Sequence, residues 1–168
     1  CGAKPHFIDS EYETFGVDAL KLKNYLQKNT ILGKGKCINK KTKQTIKALI
    51  VVHIFGHPVN MDEIKNVAEN FNIPILEDAA EGIGSFYKNK HVGTFGKIGV
   101  ISFNGNKTIT TGGGGIILTD DKQIAKIARH ITTTAKIRHQ WEYNFDEVGY
   151  NYRMPNINAA LGIAQLEN

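Results

Sequence analysis

The sequence has few of the features that define several protein classes. Its two cysteines, Cys1 and Cys37, are too few for a disulfide framework and are typical of a reducing compartment. The longest apolar candidate segment, residues 48–55, is far shorter than the roughly 20 residues of a membrane-spanning helix. The first residues have neither the basic region nor the apolar stretch of a signal peptide. We therefore predict a cytoplasmic protein without a membrane segment.

The net charge of +5 raises the alternative of a nucleic-acid partner. Much of the positive charge lies in one short stretch, which contains Lys34, Lys36, Lys40, Lys41, Lys43 and Lys47. No aromatic residue is interleaved with these lysines, although single-strand binders use aromatic rings to stack on bases. We interpret the stretch as a solvated loop before a strand and predict no nucleic-acid binding.

The chain does contain a regular alternation of β-rich and helical segments. Asn60 is a good N-cap, followed three residues later by Glu63, and opens one of the helical patterns. The segment 48–52 is apolar throughout, as in strands covered on both faces of a parallel sheet. The β-rich runs are residues 5–9, 48–55, 74–77, 99–103 and 115–119, and the helical runs are 18–26, 60–71, 120–130 and 156–168. These patterns predict an α/β fold with a mostly parallel sheet flanked by helices.

Polar residues directly after strands are the best candidates for a site, because ligands collect at the carboxyl ends of parallel strands. Lys107 and Asp78 each follow a predicted strand, and a partly desolvated lysine opposite an acid suits Schiff-base chemistry. Two plainer interpretations remain open: Asp78 as a helix N-cap with Glu81 completing a capping box, and Lys107 as a surface lysine. The glycine run 112–115 resembles a phosphate loop, but Asn106 separates Gly105 from Lys107, so the P-loop pattern fails.

Several motifs, in order, resemble the DegT/DnrJ/EryC1/StrS family of pyridoxal-phosphate (PLP) sugar aminotransferases. They are Pro-Ile-Leu-Glu-Asp-Ala-Ala-Glu at 74–81, Gly-Thr-Phe-Gly at 93–96, Ser-Phe-Asn-Gly-Asn-Lys at 102–107, the glycine run, and Gly-Tyr-Asn-Tyr-Arg-Met-Pro-Asn-Ile-Asn-Ala-Ala at 149–160. The sequences of these motifs are most similar to those of members that aminate UDP-linked 4-keto-6-deoxy-N-acetylhexosamines. Family members are about twice as long, in line with multi-domain chains. The resemblance therefore implies that residues 1–168 are part of the large domain of a fold-type I PLP enzyme.

The resemblance also implies roles for individual residues. Lys107 matches the lysine that binds the cofactor covalently and moves protons during the reaction, and Asp78 matches the acid that pairs with the pyridine nitrogen. The other cofactor-binding candidates are Glu81 near the 3-hydroxyl, Ser102 at the phosphate, and Asn151 at the phosphate of a neighbouring subunit's cofactor. His53, Asn104 and Arg153 are candidate substrate-binding residues.

The implied function is transfer of an amino group, with glutamate as the expected donor, to C4 of a nucleotide-linked keto sugar by a homodimer. The alternatives are a PLP-dependent dehydratase, against which Lys107 argues, a segment that only folds or dimerises, and a nucleotide-binding α/β domain. His53 and His57 have the spacing of a metal pair, but Gly56 and Pro58 break any helix there, so we predict no metal.

Overall fold

The fold is known from a computed structural model, which describes residues 2–167. The four α-helices found in this range are α1 (Ala19–Asn29), α2 (Met61–Asn70), α3 (Lys122–Thr132) and α4 (Asn156–Leu166), and a short 3₁₀ turn covers Ile54–Gly56. The eight strands found there are β1 (Thr30–Gly33), β2 (Lys36–Asn39), β3 (Leu49–Val52), β4 (Ile75–Asp78), β5 (Phe86–Tyr87), β6 (Lys90–His91), β7 (Ile98–Ser102) and β8 (Gly115–Leu118). The last predicted helical residue, Asn168, lies outside the described range.

A four-stranded sheet in the order β3-β4-β7-β8 is the frame of the fold. β3, β4 and β7 are parallel neighbours, and β8 runs antiparallel to β7. α2 connects β3 to β4, as expected for a strand–helix–strand unit. The prediction of an α/β fold with a mostly parallel sheet is confirmed.

The two N-terminal helices form as predicted and cover one face of this sheet. The side chain of Asp18 accepts a hydrogen bond from the Lys21 amide at the start of α1, and Asn60 does the same for Glu63 at the start of α2. The buried side chains of both helices pack in one cluster with the inward-facing residues of β3 and β4. They include Leu22, Leu26, Met61, Ile64, Leu49, Val51 and Ile75.

The opposite face of the sheet is open to solvent within residues 2–167. Ile50 on β3 is 64% exposed, and Val100 and Ile117 on β7 and β8 are also exposed. The registers Val52↔Asp78, Asp78↔Val100 and Val100↔Ile117 place Val52, Asp78, Val100 and Ile117 in one row across the sheet. Asp78 therefore shares the uncovered face with apolar side chains.

One prediction of local structure is wrong and another is right only in part. Residues 5–9 form no strand, because no neighbouring strand pairs with them among the described residues, and Phe7 is almost fully exposed. The lysine-rich stretch is a loop only in part: residues 36–39 form β2, which pairs with β1, whereas Lys40, Lys41, Lys43 and Lys47 lie in the exposed turn and loop before β3. Lys34 and Gly35 both have positive φ, as a tight hairpin turn requires, and Cys37 on β2 is fully buried.

Among the described residues, no helix combines the length and the apolar character that crossing a membrane would require.

Candidate functional site

The candidate site lies at the carboxyl ends of β4 and β7. Asp78 ends β4 and Ser102 ends β7, and the register places both on the uncovered face of the sheet. Because β8 runs antiparallel, its first residue, Gly115, pairs with Ser102 and brings the glycine run to the same edge. The chain crosses this edge three times: after β3, after β4 and between β7 and β8.

A tight turn, not a helix, follows β4. The amide of Gly82 donates to the carbonyl of Ala79, and Asp78 Oδ1 accepts from the Ala80 amide at 3.1 Å. The plainer interpretation of Asp78 and Glu81 as a helix cap is therefore wrong. The second carboxylate oxygen of Asp78 has no hydrogen-bond partner within residues 2–167, so it can accept a proton donor from a ligand.

Lys107 and Glu81 form an ion pair across this edge. The ammonium of Lys107 lies 3.3 Å from Glu81 Oε1, and the Lys107 side chain is only 16% exposed. The other oxygen of Glu81 accepts a hydrogen bond of 3.0 Å from the amide of Phe55, in the turn after β3. The segments after β3, β4 and β7 are thus joined through one carboxylate, and Lys107 is not a freely solvated surface lysine.

The segment that leads to Lys107 begins with a polar turn. Ser102 Oγ accepts from the Asn104 amide at 3.2 Å, and the Lys107 amide donates to the Asn104 carbonyl at 3.0 Å. The side chain of Asn104 is exposed and bonds only to Asn106 among the described residues. The Ser102 hydroxyl keeps its proton available for donation to an anion.

The glycine run has the geometry that its composition suggests. Gly112 and Gly114 have φ of +77° and +115°, a region that other residues rarely adopt. A Cβ on Gly115 would lie 2.6 Å from the carbonyl oxygen of Ile101. The run closes the turn between β7 and β8 and does not form a helix-opening nucleotide loop.

α4 packs against the residues just before the glycine run, a contact that the sequence did not reveal. Gln165 accepts from the Thr110 amide at 3.1 Å and donates to its carbonyl at 2.6 Å. Asn158 donates to the carbonyl of the buried Thr111. The amide side chains at polar positions of an otherwise apolar helix are the only sequence signal for this contact.

His53 is placed inside the protein, which disagrees with the expectation that it binds substrate. Its side chain has no exposed area, and His53 Nε2 lies 3.0 Å from Glu77 Oε2. His53 Nδ1 accepts from the amide of Val59 at 3.4 Å. No surface of His53 is left for a substrate, so we do not include it among the proposed ligand-binding residues. His57, the other member of the suggested metal pair, is exposed.

Glu77 is a buried polar residue whose role sequence reasoning missed. Besides His53, it accepts backbone hydrogen bonds from Gly93 at 2.7 Å, Phe95 at 2.6 Å and Gly96. Burial raises the pKa of the Glu77 carboxyl, but the hydrogen bonds from His53 and from the glycine amides outweigh it, so the pKa lies below its usual value. An acid inside a hydrophobic strand, directly before Asp78, was the available signal.

Asn151 and Arg153 lie in a different part of the chain. Asn151 pairs with Thr133 through the backbone. The side chains of Asn151 and Arg153 are exposed and form no hydrogen bonds to other described residues. No hydrogen bond or ion pair within residues 2–167 joins either of them to Lys107. Their assignment to a cofactor phosphate or a substrate remains a prediction.

Three potential metal ligands meet away from this edge. His130, Asp146 and Glu147 each place one ligand atom within 4.8 Å of the others. His130 Nε2 lies 2.6 Å from Asp146 Oδ1, and this hydrogen bond lowers the pKa of the Asp146 carboxyl. The hydrogen bond between His130 and Asp146 by itself accounts for the proximity of these two side chains.

The residues at the sheet edge fit PLP in their chemistry. Lys107 offers an amine that is partly withdrawn from water, Asp78 offers an unpaired carboxylate oxygen for a ring N–H, and Ser102 offers a hydroxyl for an anion. Glu81 adds a second carboxylate beside the amine. The donor set suits an aldehyde cofactor with a basic ring nitrogen and a phosphate.

Comparison with known proteins gives the same picture. The chain is 42% identical to a GDP-perosamine synthase of Escherichia coli O157:H7 over 166 residues, which are 99% of this chain and 41% of that protein. It is 35% identical to a UDP-4-amino-4,6-dideoxy-N-acetyl-beta-L-altrosamine transaminase of Campylobacter jejuni, again over 99% of this chain and 41% of the relative. The chain thus spans about two-fifths of the length of these relatives.

A solved structure and a family model complete the comparison. The crystal structure of an aminotransferase from Brucella abortus superimposes with a TM-score of 0.84 at 28% identity, covering 99% of this chain and 42% of that one. The model of the DegT/DnrJ/EryC1/StrS aminotransferase family matches residues 1–168. The chain therefore belongs to the DegT/DnrJ/EryC1/StrS aminotransferase family, whose members are PLP-dependent.

Proposed function

We propose that this chain is the part of a PLP-dependent sugar aminotransferase that carries the reactive lysine, Lys107. The observation that supports the proposal most is the half-buried Lys107–Glu81 ion pair at a sheet edge where Asp78 keeps a free carboxylate oxygen. A lysine that is merely a surface residue would not be withdrawn from water and paired with an acid across two loops. Residues 1–168 then form part of the PLP-binding large domain.

When bound, PLP supplies an electron sink for reactions at the carbon that bears an amino group. Lys107 would hold the cofactor and, once released from it, move a proton between the reacting carbon atoms as general acid and base. Asp78 would keep a proton on the ring nitrogen, and Glu81 would orient the Lys107 amine. Ser102 and, from another subunit, Asn151 would bind the phosphate, with Arg153 as a further candidate.

The amino acceptor that we propose is a nucleotide-linked 4-keto-6-deoxy sugar, aminated at C4, with glutamate as donor. The names of two relatives, one a GDP-perosamine synthase and the other a UDP-sugar transaminase, support the nucleotide-sugar class. The keto group, its position at C4 and the glutamate donor are carried over from the family resemblance. Because the more similar of the two acts on a GDP-linked sugar, we extend the acceptor from the UDP-linked class to GDP-linked sugars. Asn104, exposed beside Lys107, is the proposed substrate contact.

A second candidate function is a segment that folds or dimerises without turnover. The open face of the sheet and the coverage of about two-fifths of the relatives favour this alternative for the chain taken alone. The two candidates differ in one respect: only the first requires Lys107 to capture PLP.

Capture of PLP is tested by titrating the chain with PLP, reducing it with borohydride and locating the label by peptide mass spectrometry. We expect the label on Lys107, because its amine is withdrawn from water and is held at a defined position beside Glu81. Lys107→Ala should abolish the specific label and the long-wavelength absorbance of lysine-bound PLP. Lys126→Ala, on the exposed side of α3, is the matched control and should leave both unchanged.

Labelling spread evenly over the exposed lysines, with Lys107→Ala indistinguishable from the unmodified chain, would contradict the lysine assignment. Amino transfer is assayed separately with GDP- and UDP-linked keto sugars and glutamate, using the chain together with the sequence that completes it to the length of its relatives. Turnover that persists in Lys107→Ala would contradict the proposed mechanism.

A further inference from the structure

We infer that His53 and Glu77 form a buried positioning pair that sets the place of the Lys107 amine through the turn after β3. The inference rests on the proposed function for the meaning of Lys107, but its geometry is independent of it. Neither side chain has any exposed area, so neither can contact a ligand, and both act through other residues.

The hydrogen bonds of the pair indicate which atom donates and which accepts. His53 Nδ1 accepts the Val59 amide, so Nε2 carries the proton and donates it to Glu77 Oε2 at 3.0 Å. Glu77 is then a charged acceptor of four N–H groups, three of them from the backbone of residues 93–96. Both partners are fully satisfied, as a buried polar network must be to give one defined geometry.

The main chain of His53 carries this constraint to the site. Its amide donates to the carbonyl of Asp78 at 3.0 Å, and its carbonyl accepts from Gly56 at 3.0 Å. The turn so closed holds Phe55 at a φ of +52°, a strained value for a bulky residue. Such strain persists only where the surrounding contacts impose it, and His53, one member of the buried pair, is the residue directly before this turn.

The strained turn after β3 also positions Glu81. The Phe55 amide donates to Glu81 Oε2 at 3.0 Å, and the other oxygen of Glu81 contacts the Lys107 ammonium at 3.3 Å. A Cβ on Gly56 would lie 2.6 Å from the carbonyl oxygen of Glu81, so the turn and the Glu81 backbone are in close contact. A continuous series of contacts therefore runs from the buried pair to the reactive amine.

The first test follows the Phe55 amide by NMR hydrogen exchange in the chain without PLP. Glu81→Ala removes the acceptor and should speed exchange at Phe55 by about fivefold or more, the size expected for the loss of one local hydrogen bond. His53→Leu should have the same effect, because it removes the donor to Glu77 and releases the turn. His53→Gln, which keeps an N–H within reach of Glu77, should restore slow exchange.

The second test measures how fast added PLP labels Lys107 relative to Lys126 in the same molecule, after borohydride reduction. We expect the ratio to fall about tenfold in His53→Leu, the equivalent of one charge-assisted hydrogen bond, and to recover in His53→Gln. Val67→Ala, in the buried cluster of α1, α2, β3 and β4 but outside the series of contacts, should lower the melting temperature and leave the ratio unchanged.

The outcomes separate the two proposals. If His53→Leu lowers the melting temperature as Val67→Ala does, with the Phe55 exchange and the labelling ratio unchanged, the pair is only structural and the inference is overturned. If the unmodified chain shows no preference for Lys107, the proposed function fails, and the exchange at Phe55 alone decides the inference. Should His53→Leu not fold, Glu77→Gln replaces it, since it keeps the shape and removes the charged acceptor.

Discussion

Glu77 and Asp78 are adjacent acids with opposite environments, because successive side chains of a strand point to opposite faces of the sheet. Glu77 points to the helix-covered face and is saturated by N–H donors, whereas Asp78 points to the open face and keeps one oxygen unpaired. The dipeptide thus supplies a structural carboxylate and a candidate ligand-binding carboxylate. A shift of register by one residue would exchange these roles.

Glu77→Gln is expected to lower the free energy of unfolding at pH 7 by about 2–4 kcal/mol, because the amide NH₂ of glutamine would face buried N–H donors. The pKa of the Glu77 carboxyl in the folded state lies below its ordinary value of 4.5. The ionised carboxylate therefore contributes its full stabilisation above pH 4.5, and this stabilisation is lost as the pH falls through the folded-state pKa. Urea unfolding at pH 7 and pH 3 measures the effect.

The difference between the unmodified chain and Glu77→Gln should therefore shrink at the lower pH. Asp62→Asn is the control, because this exposed carboxylate pairs only with surface groups and should change stability little. A difference between the unmodified chain and Glu77→Gln that is equally large at both pH values would contradict the ionised, hydrogen-bonded state of Glu77.

Among the elements, the turn between β7 and β8 joins the candidate site to α4. The glycine run begins directly after Thr110 and Thr111, the two residues that Gln165 and Asn158 of α4 contact. A Cβ added to Gly114 would also approach the side chain of Met154, just before α4. The run therefore serves the backbone path of this turn and the packing of a helix beside it.

The two central glycines of the run are expected to differ in their tolerance of a side chain. Gly114→Ala should cost about 1–3 kcal/mol, because its φ of +115° is strained for alanine. Gly113→Ala is the matched control: nothing lies within 4 Å of its Cβ position and its φ is ordinary, so stability should change by less than about 1 kcal/mol in either direction. Thermal unfolding measures the melting temperature of both variants. Equal melting temperatures would contradict the assigned backbone conformation of Gly114.

Elements with strong local signals were predictable. Asn60 caps α2 as its side chain and spacing indicate, and the apolar run before His53 forms a strand. The β1–β2 hairpin was missed because its lysines suggested solvent, although Lys34-Gly35 supplies a two-residue turn with positive φ. The predicted N-terminal strand failed for the converse reason: β-rich composition forms no ladder without a neighbour.

For the whole molecule, the uncovered sheet face has a direct consequence. Contiguous exposed apolar surface on a soluble protein marks an interaction site or promotes association. Ile50, Val52, Val100 and Ile117 are exposed apolar side chains on this face, where Asp78 lies between Val52 and Val100. We therefore expect the isolated chain to bind the dye ANS and to associate as its concentration rises.

Ile117→Lys should reduce both effects, since it places a charge within the apolar row. Leu20→Lys is the control, because Leu20 is exposed on α1, on the other side of the sheet. Analytical ultracentrifugation and ANS fluorescence across a concentration series measure the outcome. A chain that stays monomeric and dark with ANS at all concentrations would contradict this role of the open face.

The sequence by itself determined the alternation of elements, the helix caps and the positions of Asp78 and Lys107 after strands, because these depend on periodicity and contacts within a few residues. Only the tertiary structure decided that Glu81, 26 positions from Lys107, is its partner, and that His53 is buried against Glu77, 24 positions away. Such pairs follow from strand register and from which face the helices cover. Both depend on packing between distant segments, which no local pattern encodes.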